Sequence, residues 1–297
     1  MHVFVTGATG FVGSAVVKEL LANGHEVSGL VRSDASAAAL AQSGAHVVRG
    51  SLEDLDSLRQ GATGADAVIH TAFNHDFSRF LDNCELDRRA IEAIGEALQG
   101  TNKPFVITSG VGHMESGRLA TEDSPSLPVS AAYPRASEAT AEAVAARGIN
   151  AMVVRLPPTV HGDGDHGFVP ILVNTAREKG LAAYVGDGSN HWPAVHRFDA
   201  ARVYRLAVER GTRGARYHAV TEQGVPFRDI AEAIGQGLGV PVKRLDGDDV
   251  AAHFGWFARF TGLDVPTASA KTREALGWSE AGHPGLLDDM ALHYFRG

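Results

Sequence analysis

Residues 5–13 read VTGATGFVG and place three glycines at the spacing GxxGxxG. The segment before them, residues 2–6, is predicted to be a β-strand, and residues 11–21 show the apolar spacing of a helix. Glycines suit such a turn because its backbone bends tightly, approaches a pyrophosphate closely and lets the helix pack on the strand. The free N–H groups of the helix start would face the anion. The motif predicts a dinucleotide-binding turn, with an ordinary glycine-rich turn as the alternative.

The alternation of strand and helix patterns continues through the first half of the chain. Further strands are predicted at 26–31, 45–48, 67–70, 104–108 and 151–155. Further helices are predicted between them at 35–42, 52–60, 81–98 and 137–146. This order predicts an α/β fold with a doubly wound parallel sheet, the Rossmann arrangement.

The rhythm changes after residue 155. Loop sequences occupy 161–167 and 186–188, a helix is predicted at 198–209, and a strand at 215–220. Short helices at 227–237, 248–260 and 272–277 indicate a small, mostly helical C-terminal lobe. We therefore expect a dinucleotide-binding core formed by 1–160 and 195–225. The small substrate-binding lobe is expected to comprise 161–194 and 226–297.

Composition excludes several classes of protein. The chain has 297 residues, of which 44% are hydrophobic and 21% charged, a net charge of -8 and a single cysteine, Cys84. One cysteine excludes an internal disulfide and a thiolate zinc cluster, and it fits a cytoplasmic location. The acidic balance argues against nucleic acid as a partner. We expect no signal peptide and no membrane segment. Composition does not distinguish a monomer from an oligomer.

The residue after the second strand distinguishes the two nicotinamide dinucleotides. An acidic residue at that point would bind the ribose 2′-hydroxyl of NAD. Here the strand is followed by Arg32 and Ser33, which suit the 2′-phosphate of NADP. Asp34, one residue further on, would still reach a ribose. The sequence therefore predicts NADP, with NAD as the alternative.

Taken together, these segments resemble the extended and atypical short-chain dehydrogenase/reductases, a group that includes the NAD(P)-dependent epimerase/dehydratase proteins. The resemblance rests on the glycine turn and on four later segments: VIHTA at 68–72, FVITS at 105–109, VRLPP at 154–158 and VHRFDAA at 195–201. It implies a Rossmann fold and hydride transfer between a nicotinamide and a carbonyl or secondary alcohol of a small organic molecule. A second implied possibility is a sugar-nucleotide epimerase or dehydratase.

The same resemblance assigns cofactor contacts by position. Ser51 and Leu52 would lie near the adenine, Ala72 and Phe73 along the pyrophosphate and nicotinamide ribose, and Pro157 beside the nicotinamide. The full predicted set is Gly7, Thr9, Gly10, Phe11, Val12, Gly13, Arg32, Ser33, Ser51, Leu52, Thr71, Ala72, Phe73, Thr108 and Pro157.

The catalytic positions match the family only in part. The family uses a Tyr, a Lys four residues later that lowers the pKa of the Tyr, and an upstream Ser or Thr. Tyr133 and Ser109 occupy two of these positions, but Ser137 stands where the Lys belongs. Arg135 could not replace the Lys if the segment were helical, since side chains two residues apart do not face each other. If the family pattern is instead aligned from the C-terminal end of the helix predicted at 137–146, the Tyr and Lys positions fall at Ser130 and Pro134, and the motif is absent.

Histidines after the sheet offer another source of a proton. His161, His166 and His196, with Trp192, fall in segments that border the nicotinamide end of the cleft in the family, and we predict that they contact substrate. A histidine here would replace the lost Tyr and Lys pair, while the alternative is a set of hydrogen-bonded loop residues. Their spacing does not match a helical metal motif, so we expect no metal. Because the Lys is missing, a non-catalytic NADP(H) sensor or scaffold is the main alternative function.

Overall fold

The computed structural model describes residues 1–296 of the chain, so Gly297, the last residue of the predicted lobe, lies outside the described residues. The strands are β1 His2–Thr6, β2 Glu26–Val31, β3 His46–Arg49, β4 Ala67–His70, β5 Phe105–Gly110, β6 Ala151–Leu156, β7 Thr159–His161, β8 Ala182–Val185, β9 His191–His196, β10 Arg216–His218, β11 Glu222–Pro226 and β12 Val242–Leu245. The helices are α1 Phe11–Ala22, α2 Asp34–Gln42, α3 Leu55–Gly64, α4 Phe80–Ala97, α5 Ser137–Ala146, α6 Phe168–Lys179, α7 Arg197–Arg210, α8 Phe227–Leu238, α9 Asp248–Phe254, α10 Ala258–Thr261, α11 Ala270–Leu276 and α12 Leu286–His293.

A seven-stranded parallel sheet with the order β10-β6-β5-β4-β1-β2-β3 forms the centre of the molecule. The predicted doubly wound sheet is therefore confirmed. The strand order reverses between β1 and β4, and ligands of such sheets bind at the carboxyl ends of the strands at this point. Both strands end here in polar residues, Thr6 and His70.

The sheet buries one hydrophobic core on each face because successive side chains of a strand point in opposite directions. Val3 and Val5 of β1 pack in the core that contains α1 and α7. Phe4, between them, packs in the opposite core with residues of α3, α4 and α5. All three side chains are fully buried.

The second half of the chain contains more regular structure than the sequence patterns indicate. α6 and the strands β7, β8, β9, β11 and β12 were not expected from the sequence. These strands form a three-stranded sheet, β11-β9-β7, and a two-stranded sheet, β12-β8. Trp192 on β9 is fully buried in the core of this part, among side chains of α6 and α8. The helix predicted at 248–260 is interrupted at Gly255, whose φ of 55° is one that glycine adopts readily.

Within residues 1–296, every helix is too short or too polar to cross a membrane.

Candidate active site

A cleft of about 360 Å³ opens where the strand order reverses. Its walls come from the segments that follow β1, β2, β3 and β4. Seven of the predicted cofactor residues line it: Gly7, Thr9, Arg32, Ser51, Leu52, Ala72 and Phe73. A cleft of this size at this position suits an extended ligand that crosses the sheet edge.

The glycine turn is packed too closely for side chains. Gly7 has a φ of 71°, and a Cβ on it would lie 2.7 Å from the Ala72 nitrogen. A Cβ on Gly13 would lie 1.9 Å from the carbonyl oxygen of Gly7. Gly10 donates a backbone hydrogen bond to the same oxygen at 2.9 Å, and as the residue before α1 it provides no side-chain cap. The first backbone N–H groups of α1, those of Phe11 and Val12, are therefore available to bind an anion.

Of the three residues after β2, Arg32 lines the cleft, whereas the side chains of Ser33 and Asp34 bind other residues. Arg32 lines the cleft and is exposed. The Ser33 hydroxyl caps α2 by accepting a hydrogen bond from the Ser36 N–H at 3.2 Å. Asp34 forms an ion pair with Arg49, with 2.5 Å between the charged atoms. Of these three residues, Arg32 therefore offers its charge to the cleft.

Three further predicted cofactor residues, Thr71, Thr108 and Pro157, lie at the ends of β4, β5 and β6 and are not among the residues that line the cleft. Thr71 and Thr108 donate their hydroxyl hydrogens to backbone oxygens of Thr6 and His70, each at 2.8 Å. Thr108 also shares a hydrogen bond of 2.8 Å with the buried phenol of Tyr204. Pro157 follows β6 and is buried. These contacts fix the strand ends against each other.

The two predicted catalytic residues differ in their surroundings. Ser109 lies near the end of β5 and is 3% exposed. Tyr133 lies on the loop before α5, is 45% exposed, and exchanges backbone hydrogen bonds with Ser130. Because α5 begins at Ser137, Tyr133 and Ser137 do not occupy successive turns of one helix.

Arg135 contacts a residue that lines the cleft, and the sequence patterns did not single it out as a functional residue. Its guanidinium carbon lies 4.2 Å from the ring centre of Phe73, which is a cleft residue. Its Nε donates a hydrogen bond to the Ser137 hydroxyl at 2.9 Å. The non-helical backbone before α5 allows this contact across two residues, which a helix would prevent.

Behind Arg135, a chain of buried hydrogen bonds runs across the ends of the strands. The Ser137 hydroxyl donates to Asp87 Oδ2 at 2.5 Å, and Asp87 Oδ1 lies 3.0 Å from Nε2 of His70. His70 Nδ1 lies 2.7 Å from the Thr6 hydroxyl. All four side chains are buried. From the sequence, only the polar residues at the strand ends could be recognised as members of this chain of hydrogen bonds. Asp87 lies within a long helix and was not recognised.

Two further histidines lie close enough to Arg135 for its charge to act on them. Burial, and secondly the charge of Arg135, lowers the pKa of His113 to about 4. Desolvation, and again the charge of Arg135, lowers the pKa of His75 to about 4. His75 also lines the cleft. At neutral pH both imidazoles are therefore uncharged.

The histidines that the sequence assigned to substrate lie outside the residues that line this cleft. His161 Nδ1 lies 2.8 Å from the buried Asp289 carboxylate, and His196 stacks on His283 at 4.3 Å between ring centres. His166 meets the ring of Phe11 edge-on at 5.8 Å. His161 and His196 lie together at the start of α7, whereas His166 lies at the start of α1 and close enough to His75 for its charge to act on that imidazole.

One group of potential metal ligands is present in the described part of the chain. Ligand atoms of His196, Asp199 and His283 lie within 4.8 Å of one another. The two imidazole planes are nearly parallel, at 21°, so their lone pairs do not converge on one point. Asp199 already accepts the Ala281 N–H at 2.9 Å.

Comparison with known proteins gives four findings. The pattern of the NAD dependent epimerase/dehydratase family matches residues 3–221. An uncharacterized protein of Schizosaccharomyces pombe is 49% identical over 295 residues, 98% of each chain. The sterol-4-alpha-carboxylate 3-dehydrogenase, decarboxylating, of Dictyostelium discoideum is 29% identical over 82% of this chain and 78% of that enzyme. The crystal structure of the dTDP-glucose 4,6-dehydratase of Streptomyces venezuelae, with NAD bound, is similar at a TM-score of 0.77 and 23% identity, covering 99% of this chain and 96% of that one.

Proposed function

The chain belongs to the NAD dependent epimerase/dehydratase family, and on that premise we propose that it is an NADP-dependent oxidoreductase. It interconverts a carbonyl group and a secondary alcohol on a small organic molecule. The observation that carries the proposal is the cleft at the reversal of strand order, with the tight glycine turn at one wall and Arg32 at its end. A dehydrogenase among the relatives supports the reaction class.

The residues present fit a nicotinamide dinucleotide. The glycine turn leaves room for a pyrophosphate against the first N–H groups of α1, because no side chain fits between Gly7 and Gly13. Ser51 and Leu52 line the end of the cleft that we assign to the adenine. When bound, the cofactor supplies or accepts a hydride. The chain itself binds and orients the reactants.

Arg32 favours NADP over NAD in this proposal. A guanidinium pairs well with a phosphate group, and Arg32 is exposed in the cleft. Asp34, which would otherwise bind a ribose hydroxyl, is held by Arg49. NAD remains the alternative cofactor.

For the proton, we propose Tyr133 as the donor to the reacting oxygen, with Ser109 as a hydrogen-bonding hydroxyl. The family resemblance supports both, and Tyr133 is 45% exposed on the loop before α5. Replacement of Tyr133 by Phe is expected to reduce carbonyl reduction by about 100-fold. If Tyr133→Phe leaves the rate unchanged, Tyr133 is not the donor, and His161, His166 and His196 are the next residues to replace.

The small lobe, 161–194 and 226–297, is proposed to bind the substrate. Trp192, which the sequence predicted to contact substrate, is fully buried in the core of this lobe. A reducing compartment such as the cytoplasm suits the single cysteine, which is buried and whose pKa burial raises to about 11.

A non-catalytic NADP(H) sensor is the second candidate, and the replacement of the Lys by Ser137 favours it. A sugar-nucleotide epimerase or dehydratase is a third, supported by the similar fold of the Streptomyces dehydratase. The experiment that separates them measures NADPH binding by fluorescence and NADPH oxidation across a panel of aldehydes and ketones. We expect both binding and oxidation. Tight binding with no oxidation by any member of the panel contradicts the oxidoreductase and favours the sensor.

A further inference from the structure

Arg135 is a charged residue with hydrogen-bonding capacity left over. Its Nε is used by Ser137, but neither terminal nitrogen hydrogen-bonds to another group among residues 1–296. The guanidinium carbon lies 4.2 Å from the ring centre of Phe73, a residue that lines the cleft. Two terminal nitrogens of a guanidinium form a fork that matches the oxygens of an anion.

A chain of hydrogen bonds fixes the position of the Arg135 guanidinium. Ser137 can accept from Arg135 because its own hydrogen is donated to Asp87. Asp87 in turn is held by His70, whose other ring nitrogen meets Thr6. The negative Asp87 carboxylate thus supports the positive Arg135 through one hydroxyl group. A charge held in this way needs little reorganisation when negative charge develops in front of it.

We infer that Arg135 supplies the positive charge that Ser137 lacks at the Lys position, and that its guanidinium binds the reacting oxygen of the substrate. This assignment rests on the proposed function. In the reduction, the carbonyl carbon receives a hydride from the reduced cofactor, which is left as its oxidised form, and the π-electron pair of the C=O bond moves to oxygen. The oxygen then takes one proton from the Tyr133 hydroxyl, the donor proposed above, and Tyr133 regains a proton from solvent. Arg135 stabilises the oxygen while it is negative, and Ser137 and Asp87 are positioning residues.

Binding of a simple anion tests the assignment without turnover. Benzoate is titrated by calorimetry into protein loaded with NADP⁺. We expect benzoate binding to weaken at least tenfold in Arg135→Ala and at most threefold in Arg135→Lys. The matched control is Arg147→Ala, which changes an exposed arginine at the other end of α5 and is expected to have no effect. Equal affinity in Arg135→Ala and the wild type, or no benzoate binding by the wild type, overturns the assignment.

A second readout reports the position of the charge. NMR titration is expected to show a higher pKa for His113 in Arg135→Ala than in the wild type, because the Arg135 charge lowers it. Arg135→Lys, which keeps the charge, is expected to restore most of the shift. An unchanged His113 titration in Arg135→Ala places the charge elsewhere and contradicts the inference.

Kinetics then separate this inference from the proposed function. We expect Arg135→Ala to lower kcat for carbonyl reduction about 100-fold, while the Kd for NADPH changes less than threefold. If NADPH is oxidised and Arg135→Ala has the wild-type kcat, the function stands and the inference fails. If benzoate binding depends on Arg135 but no carbonyl is reduced, the anion site stands and the proposed reaction fails.

Discussion

At the scale of single residues, Arg32 determines cofactor preference in the proposed function. NADPH is expected to bind at least tenfold more tightly than NADH, a difference of about 1.4 kcal/mol. In Arg32→Ala the preference should fall to threefold or less, because the 2′-phosphate loses its partner. Fluorescence titration with both cofactors measures this.

Arg59→Ala is the control for Arg32, since Arg59 lies on α3 and pairs with Glu96 and Asp56 away from the cleft. It should retain the wild-type preference. Equal affinity of the wild type for NADPH and NADH would show that Arg32 does not select the cofactor.

Two histidines are expected to make the unfolding free energy depend on pH. Burial is the main cause that lowers the pKa of His113 and of His196 to about 4, with the charges of Arg135 and His283 respectively next. The unfolded chain binds these protons near pH 6.5. Stability from both groups is therefore complete above about pH 6.5 and is lost as the pH falls toward 4.

From pH 7 to pH 5 the expected loss in unfolding free energy is about 2 kcal/mol for each histidine and about 4 kcal/mol for both, measured by urea denaturation. The double variant His113→Asn, His196→Asn should lose less over the same interval, and Asn at 196 can still cap α7. The same slope in the variant and the wild type would exclude these histidines as its source.

The candidate site was predictable at the residue scale where a residue's role follows from its local pattern. The glycines and Arg32 belong to that class, because they depend on a strand, a turn and a helix start. Arg135 does not belong to it. Arg135 was discounted on the assumption that it lies in a helix, whereas α5 begins only at Ser137. The part that Asp87 plays in the site could not be predicted from the sequence, because Asp87 contacts His70 only when α4 lies beside β4 in the folded chain.

At the scale of elements, the β1–α1 turn tolerates no added volume. Gly13→Ala places a methyl group 1.9 Å from the Gly7 carbonyl oxygen, so the turn must open or the helix must shift. We expect a loss of about 1–3 kcal/mol in unfolding free energy and at least a tenfold weaker NADPH binding. Gly64→Ala is the control, because a methyl group there meets nothing within 4 Å. Full cofactor affinity in Gly13→Ala would contradict the proposed pyrophosphate site.

Elements of the first half could be predicted because each buried parallel strand is an apolar run with a helix on either side. Most strands of the second half were not predicted because they are short, as β7 is with only three residues. β9 contains a proline and two histidines, so its pattern does not read as a strand although Trp192 is fully buried. Its structure depends on pairing with β7 and β11, which are separate in sequence.

At the scale of the whole molecule, aromatic side chains connect the loop after β4 to the C-terminal part. Phe77 lies 5.1 Å from Trp256 and 5.8 Å from Phe260, measured between ring centres. Trp256 remains 54% exposed. The loop that carries Phe73 and His75 is therefore held over the cleft by contacts at its far end.

Trp256→Ala is expected to loosen this loop without unfolding the protein. Hydrogen exchange of residues 73–80 should become faster, while unfolding free energy changes by less than about 1.5 kcal/mol. Leu292→Ala, an exposed apolar residue on α12, is the control and should leave exchange in 73–80 unchanged. Unaltered exchange in Trp256→Ala would show that the loop is fixed by other contacts.

The most direct test of the central claim is isotope transfer from a labelled cofactor. Two samples of NADPH, one with deuterium in the pro-R and one in the pro-S position of C4 of the nicotinamide, are each incubated with the protein and a ketone of the panel, and the alcohol is examined by mass spectrometry. The account predicts one deuterium on the carbinol carbon, delivered from a single face of the nicotinamide. Tight NADPH binding without deuterium in any product would contradict it.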